Sequence, residues 1–481
     1  MAENDPVKEI LEKFQNEYRS NERFISIFHV REIWNSNQRL ERFMDKVFET
    51  TDPDIIEFTR EKLLRTLSTL VFMEFSGWSL VWDIWIGDRN TFPDRTDEKL
   101  PSWDRDKLET LFNSFGHVVA FMNNRTYFTA MVIVEGKEQH QNGMILPYNE
   151  EKPIVLGSGQ NGKVYKQIIA RGHLMLKDSG NSFREETSDW PVAVKTLSRS
   201  PSKDEIEILK ALQNDLGGHK HFANYLSMVW QSSELVDVLS PCAKGDLDKF
   251  FRDEENEKPF LGQIECLVQE IQHIAEALEF IHKNMWDRRK MRDVEDGKPN
   301  GVCCHMDLKP KNILVFGLQE NTVGHWKLTD FGVSKVSELK STLTTGRPGE
   351  GPHLTVTVST RPRPLPSRYQ APEVEHKNES GRGSDVWSLG CIYVEAIAAG
   401  LGSLEELGKM ITVRLGGEDY ENDYFYHLRS YGPTCMSIAT HPILKPRVKT
   451  WIENGFTGAG GQTDERQKSI LSQGRRKSCL S

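Results

Sequence analysis

Cysteine is scarce in this chain, with 7 in 481 residues. Apart from the adjacent Cys303 and Cys304 they are scattered, and no C-x-x-C pair occurs. That spacing argues against a disulfide framework and a cysteine-based zinc module, and it fits a reducing compartment. Long hydrophobic runs are also missing. The most apolar window, Leu70 to Ile86, is interrupted by Glu74, Gly77 and Asp83, and a charge inside a spanning helix is costly. It reads as one buried helix rich in Trp78, Trp82 and Trp85, and no membrane association is expected. The polar, acidic amino terminus has no apolar h-region, so no secretory signal is expected. Cys479-Leu480-Ser481 is one residue short of a prenylation box. Basic excess is absent too: the formal net charge is −9, which leaves no global footprint for nucleic acid, and none is expected as a partner. What is present is 37% hydrophobic and 27% charged residues, a globular composition. The length exceeds that of one compact core, so two or more domains are expected.

The chemistry-bearing residues concentrate in Cys304-His305-Met306-Asp307-Leu308-Lys309-Pro310-Lys311-Asn312, followed by Asp330-Phe331-Gly332. These runs put two carboxylates, a lysine and an amide within reach of short loops. Phosphoryl transfer needs such a set: a group to take or orient a hydroxyl proton, a cation for the transferred phosphate, and oxygens for a hard divalent cation. Upstream lies Leu156-Gly157-Ser158-Gly159-Gln160-Asn161-Gly162-Lys163-Val164, where glycines let backbone N–H groups approach phosphates; a surface turn uses the same residues. Next comes the apolar Val192-Ala193-Val194-Lys195, then Glu205-Ile206-Glu207-Ile208-Leu209 at helical spacing. Downstream stand Ala371-Pro372-Glu373 and Ser384-Asp385-Val386-Trp387. Ser384-Asp385 by itself could be a plain helix cap.

The ordered series resembles the eukaryotic protein kinases, and more loosely the fungal Ser/Thr protein kinases with an N-terminal helical region. The resemblance implies an α+β, two-lobed protein-kinase fold preceded by a mostly α-helical domain. It implies transfer of the γ-phosphoryl group of ATP, with Mg²⁺, to Ser/Thr hydroxyls of a protein substrate. The alternative is a catalytically impaired pseudokinase acting as an ATP-binding scaffold, and a small-molecule kinase ranks third. By the same resemblance Asp307, Lys309 and Asn312 are catalytic, and Asn312 and Asp330 hold the metal. Gly157, Gly159, Gly162, Val164, Ala193, Lys195, Glu205, Leu239 and Pro241 bind or position the nucleotide. Lys195 pairs with Glu205, Leu239 is the gatekeeper, and Ser240-Pro241-Cys242-Ala243 is the hinge. Asp385 holds the backbone of the catalytic loop, and Leu209, His305 and Phe331 stack between the Glu205 helix and that loop.

Three departures stand out. Met306 replaces the arginine that would bind an activation-segment phosphate, so control through that contact is not expected. Pro362 to Ser367 intrudes behind the docking run Val358-Ser359-Thr360-Arg361 and is expected to protrude as an extended loop. The C-lobe beyond Gly390 is weakly marked, and Arg447 is a poor candidate to pair with Glu373.

The expected domains are a helical 1–145, a kinase region 146–445 divided near 240, and a polar, partly disordered tail 446–481 ending in Arg475-Arg476-Lys477-Ser478. Helices are expected after Asp5-Pro6 and Asp52-Pro53 and over Asp104 to Met122. A short strand is expected within Phe128 to Val134, a polar loop over Arg171 to Trp190, and a solvated insertion over Lys283 to Asn300. The partner of the helical domain is unknown, and a cytoplasmic or nuclear location is expected.

Overall fold

An acidic cap followed by proline starts two of the amino-terminal helices. Asp5 Oδ1 accepts from the Val7 N–H at 3.1 Å and Asp52 Oδ1 from the Asp54 N–H at 2.9 Å. These caps satisfy donors that have no intrahelical partner, and proline at the first position forfeits none. The helices Pro6–Asn21 and Pro53–Lys62 follow. The computed structural model describes residues 5–455 other than 22, 88–94, 150–151, 160–161, 179, 181, 199–204, 208, 211–212, 214–218, 253–262, 285–300, 318–322, 332–334, 339–357, 360–366, 377–378, 416–422 and 432–438. Residues 285–300 of the insertion, the docking residues Thr360-Arg361, most of the proline run and the tail beyond 455 therefore lie outside the described residues, while Lys283 and Asn284 end the helix Ile264–Asn284 instead of opening a loop.

The chain divides into two compact units. One comprises Met1–Lys203 with Asn224–Cys242, the other Asp204–Ala223 with Ala243–Ser481. In the first, helices between residues 6 and 128 pack around an aromatic-rich core that includes Phe14, Trp34, Phe43, Trp85 and Phe121. The Trp34 indole N–H donates to Ser68 Oγ at 2.9 Å, which satisfies a polar atom in that core.

Two expected helices are broken. The Leu70–Ile86 window divides into Leu64–Phe72, Trp78–Val81 and a π-helical Trp82–Gly87. Glu74 adopts φ 56° and turns the chain, and Phe75 folds back against Gly77. Of the three tryptophans only Trp85 is fully buried. The Asp104–Met122 run divides at Asn113, which adopts φ 46°, and Ser114 then caps Phe115–Arg125.

The sheet of the first unit has six strands in the order Glu138–His140, Ser227–Trp230, Leu235–Pro241, Trp190–Ser198, Gly162–Ile169, Ile154–Gly159. Its pairs are antiparallel except the first. The boundary expected at 145/146 cuts through this arrangement, because Glu138–His140 is an edge strand of the sheet and Ile133–Val134 pairs with Leu174–Met175. The stretch from Arg171 to Trp190 is not simply a loop. It contains the hairpin Leu174–Lys177 and Phe183–Glu185, and Asp178 Oδ1 accepts from the N–H groups of Gly180 and Ser182 at 2.9 and 3.0 Å to make the turn.

This hairpin is tied to the amino-terminal helices at one buried point. The Ile27 N–H donates to His173 Nε2 at 2.9 Å, and the other ring nitrogen bonds the Met131 carbonyl at 2.9 Å. Gly172 beside it has φ +79°, and a Cβ there would meet Ile27 Cγ2 at 2.9 Å, so a side chain is excluded. Burial pushes the His173 imidazole down to about 3. Its unfolded value lies near 6.5, so the stabilisation is complete above that pH. Below it the unfolded state binds the extra proton, and stability is expected to fall by up to about 1.4 kcal/mol per pH unit. Denaturant unfolding of wild type and His173→Gln between pH 7 and 5 checks this. An acid loss that persists unchanged in the variant would rule out this ring as its source.

In the second unit, Leu267, Ile271, Ile274, Leu278 and Ile281 recur at spacings of four and three and are all buried. They form one stripe of the helix Ile264–Asn284. The core they join also holds Ile392, Ala396 and Ala399 from the helix Arg382–Leu415. Burying the five side chains is worth on the order of 10 kcal/mol before entropy is counted. The hairpin Ile313–Phe316 and His325–Leu328 packs through Val315, Trp326 and Leu328 into the same core.

Candidate active site

In the first unit the glycines shape a hairpin. Ile154–Gly159 and Gly162–Ile169 pair up to Gly159 and Gly162, with an irregularity between Val155 and Gly157. Gln160 and Asn161 lie outside the described residues. Gly162 has φ +116°, which a side chain rarely tolerates. Val164 pairs with Lys195, and Lys195 with Val238. Because side chains alternate, Val164, Ala193, Lys195, Val238 and Ser240 share one face.

Leu239 does not. It pairs with Val194 and is buried with Met131, Ile133, Tyr148 and Val229. The gatekeeper reading of Leu239 is therefore corrected: the strand residues on the lysine's face are Val238 and Ser240. Pro241 pairs with Val192, also away from that face, as the last residue of its strand. The hinge expected to begin at Ser240 is still strand through Pro241, and the division between the two units falls after Cys242.

In the second unit Glu205 is 4% exposed in a helical stretch, whereas its neighbour Glu207 is exposed. Lys195 belongs to the first unit and Glu205 to the second. Leu209 packs against the core that holds Phe331, and the His305 and Phe331 rings lie 5.2 Å apart.

The loop from His305 to Asn312 gathers its polar groups around one carboxylate. Lys309 Nζ donates to Asp307 Oδ2 at 2.6 Å. Asn312 Nδ2 donates to the Asp307 carbonyl at 2.8 Å and to Oδ2 at 3.1 Å. Pro310 opens the short 3-10 turn Pro310–Asn312, where its missing N–H costs nothing. The Thr329 N–H donates to the Asn312 carbonyl at 3.0 Å, so the loop is tied to the strand that leads into Asp330. Asp330 itself adopts φ 62°. Phe331 is 1% exposed, which anchors that turn.

Met306 also adopts a left-handed conformation, φ 67°. For a non-glycine residue this costs roughly 1–3 kcal/mol, and Asp385 offsets it. Asp385 Oδ2 accepts from the His305 N–H and Oδ1 from the Met306 N–H, both at 2.8 Å. His282 Nε2 lies 2.8 Å from Oδ2 as a further partner. Asp385 is thus more than a helix cap. Ser384 does the capping, through its hydroxyl and the Gly381 backbone. His282 was not singled out from the sequence, because its partner Asp385 stands 103 residues further along the chain.

Further along, the Tyr369 hydroxyl donates to Glu395 Oε2 at 2.7 Å and Ser388 Oγ to the Tyr369 carbonyl at 2.7 Å. These bonds hold the backbone that enters Ala371-Pro372-Glu373. Among the described residues no ion pair joins Glu373 and Arg447. The buried arginine of the region is Arg414, which donates to the Asp423 carbonyl at 2.7 Å and pairs with its carboxylate. Nothing in the local sequence marks Arg414.

The set suits a hard divalent cation. Asn312 engages Asp307 through its amide nitrogen, which leaves its carbonyl oxygen as an acceptor beside the Asp307 carboxylate. Among the described residues no helix is long and apolar enough to cross a membrane.

Comparison with known proteins places this geometry. The protein kinase domain family model matches residues 150–402, more than half of the chain. Serine/threonine-protein kinase ULK3 of Homo sapiens is 29% identical over 245 residues, covering 50% of this chain and 40% of that protein. Its Xenopus laevis counterpart is 28% identical over 302 residues, 62% of this chain and 49% of the relative. Probable serine/threonine-protein kinase nek2 of Dictyostelium discoideum is 26% identical over 276 residues, 56% and 55% of the two chains. The chain thus spans about half the length of these curated relatives. They carry the kinase resemblance and not the fungal one.

Proposed function

Because the chain belongs to the protein kinase family, we propose that it transfers the γ-phosphoryl group of ATP to serine or threonine hydroxyls of a protein substrate. The observation that carries this reading is the convergence of Lys309 and Asn312 on the Asp307 carboxylate. Asp307 orients the attacking hydroxyl and holds its proton. Lys309 neutralises charge that develops on the transferred phosphoryl oxygens. Asn312 and Asp330 supply oxygens for Mg²⁺, which when bound with ATP screens the phosphate charge. Gly157, Gly159 and Gly162 leave backbone N–H groups open to phosphate, and Lys195 adds a cation on the face it shares with Val164 and Ala193. Val238 and Ser240 replace Leu239 as the strand residues proposed to face the nucleotide. There is little bond-making for the protein to do, so catalysis rests on positioning and electrostatics.

Two features support a Ser/Thr hydroxyl of a protein: the Leu308-Lys309-Pro310 run preceding Asn312, and the Ala371-Pro372-Glu373 closure. The relatives named as Ser/Thr kinases support it too. The full chain is expected to incorporate labelled phosphate from ATP·Mg²⁺ into a generic basic protein, on serine and threonine by phosphoamino-acid analysis. Its unfolding midpoint should rise with the logarithm of nucleotide concentration. A midpoint rise without transfer would replace the enzyme with a nucleotide-binding scaffold. Label on tyrosine would overturn the Ser/Thr assignment.

A further inference from the structure

A second polar constellation lies in the second unit, among residues that phosphoryl transfer does not use. Glu270 and His273 stand three residues apart on one face of the helix Ile264–Asn284. His221 comes from the segment just before Phe222, and its ring stacks on that of His273 with centroids 4.2 Å apart. One ligand atom from each of the three lies within 4.8 Å of the others. Two of the three are almost wholly buried, His221 at 5% and Glu270 at 6% exposure.

The orientation of these groups is the informative part. His221 Nε2 is buried and has no hydrogen-bond partner. A buried polar atom left unsatisfied costs roughly 1–3 kcal/mol, so a native fold rarely keeps one without a reason. A buried imidazole nitrogen with no protein partner is one that a metal ion would satisfy. Glu270 is held by a backbone group: Oε2 accepts from the Trp326 N–H at 2.8 Å. Its Oε1 is turned to His273 Nδ1 at 3.3 Å and His325 Nδ1 at 3.7 Å. His325 is 77% exposed and starts the strand His325–Leu328. The Trp326 backbone thus sets the carboxylate.

The cluster His282, Cys304 and Asp385 also meets the spacing of a metal site. It lacks this property, because both Asp385 oxygens are already engaged by His305, Met306 and His282.

We propose that His221, Glu270 and His273 form a binding site for a zinc-class divalent cation, with His325 or water as the fourth ligand. Two or three imidazoles and one carboxylate suit a borderline cation in four-coordination and suit Mg²⁺ poorly. The ion would join the long helix to the strand that leads into Asp330, on elements rigid enough to hold its geometry.

The test uses the full chain, stripped of metal and kept in excess Mg²⁺ so that hard-oxygen sites are filled. Titration with Co²⁺ is expected to give the intense visible absorption of a four-coordinate ion at one equivalent, abolished when Zn²⁺ displaces it. His221→Ala and His273→Ala are each expected to weaken binding at least about tenfold, and His325→Ala, at an exposed position, to weaken it less. A wild-type chain that gives no such absorption overturns the site without recourse to any variant. Absorption of unchanged affinity in both His221→Ala and His273→Ala overturns it as well. If a variant does not fold, the wild-type midpoint decides: it should rise with the logarithm of Zn²⁺ concentration, and no rise overturns the proposal. No readout here depends on phosphoryl transfer, so the kinase reading and this site stand or fall separately.

Discussion

Asp307→Asn is expected to lower phosphate transfer by about 10²–10⁴-fold, which corresponds to roughly 3–5 kcal/mol of barrier. The substitution keeps the size of the side chain and an oxygen for Lys309 and Asn312, which lie 2.6 and 3.1 Å from Oδ2 in the wild type. It removes the negative charge that orients the hydroxyl and accepts its proton. Lys309 is 30% exposed, so water can solvate it once its counter-charge is gone. The fold should therefore survive, and so should the rise in unfolding midpoint with ATP·Mg²⁺, because Lys195, Asn312 and Asp330 are untouched. Single-turnover transfer from labelled ATP, with the nucleotide midpoint shift measured on the same preparation, separates chemistry from binding. Equal label in wild type and variant would mean that Asp307 is not the catalytic carboxylate and that the proposed mechanism is wrong.

The part of the site legible in the sequence is the part whose residues are neighbours in the chain. Asp307, Lys309 and Asn312 fall within one short turn, so their spacing alone brings their groups together, and Pro310 marks where the turn tightens. What was not legible depends on register and on partners far away. Leu239 and Val238 are both apolar and both buried, and only pairing with Val194 or Lys195 says which one shares the lysine's face. A shift of one residue exchanges the two faces of a strand, and composition carries no record of it. The helix breaks at Glu74 and Asn113 were hidden for another reason. Left-handed turns at residues other than glycine are held by their surroundings and not by propensity. The hairpin between Leu174 and Glu185 was obscured by its polar turn and exposed second strand, although the apolar Leu174-Met175-Leu176 was a signal. His282 and Arg414 could not be read at all as partners of Asp385 and Asp423, because each contact is set by tertiary packing.

Asp385→Ala separates two readings by magnitude. If Asp385 were a helix cap, its loss would cost about 1 kcal/mol and leave catalysis nearly intact. The structure puts its carboxylate elsewhere, on the His305 and Met306 N–H groups and on His282. His305 and Asp385 are 0% and 1% exposed, so water cannot readily replace the lost oxygens. Hydrogen bonds to a buried charge contribute roughly 1.5–3 kcal/mol each, and orphaned donors keep their desolvation penalty. The variant is therefore expected to lose about 3–5 kcal/mol of stability, the range for removing one partner of a buried charged network. Met306 would also lose the bond that holds its φ of 67°, so the loop should relax toward a right-handed conformation and carry Asp307 out of position. Transfer should then fall even at temperatures where the variant is fully folded. Asp385→Asn retains one accepting oxygen and should lie between the two, whereas Ser384→Ala, which removes only the Gly381 cap, should cost about 1 kcal/mol. Denaturant unfolding of the three variants, paired with transfer rates well below each midpoint, decides the matter. If Asp385→Ala costs no more than Ser384→Ala and transfers phosphate at the wild-type rate, the catalytic loop does not depend on this carboxylate.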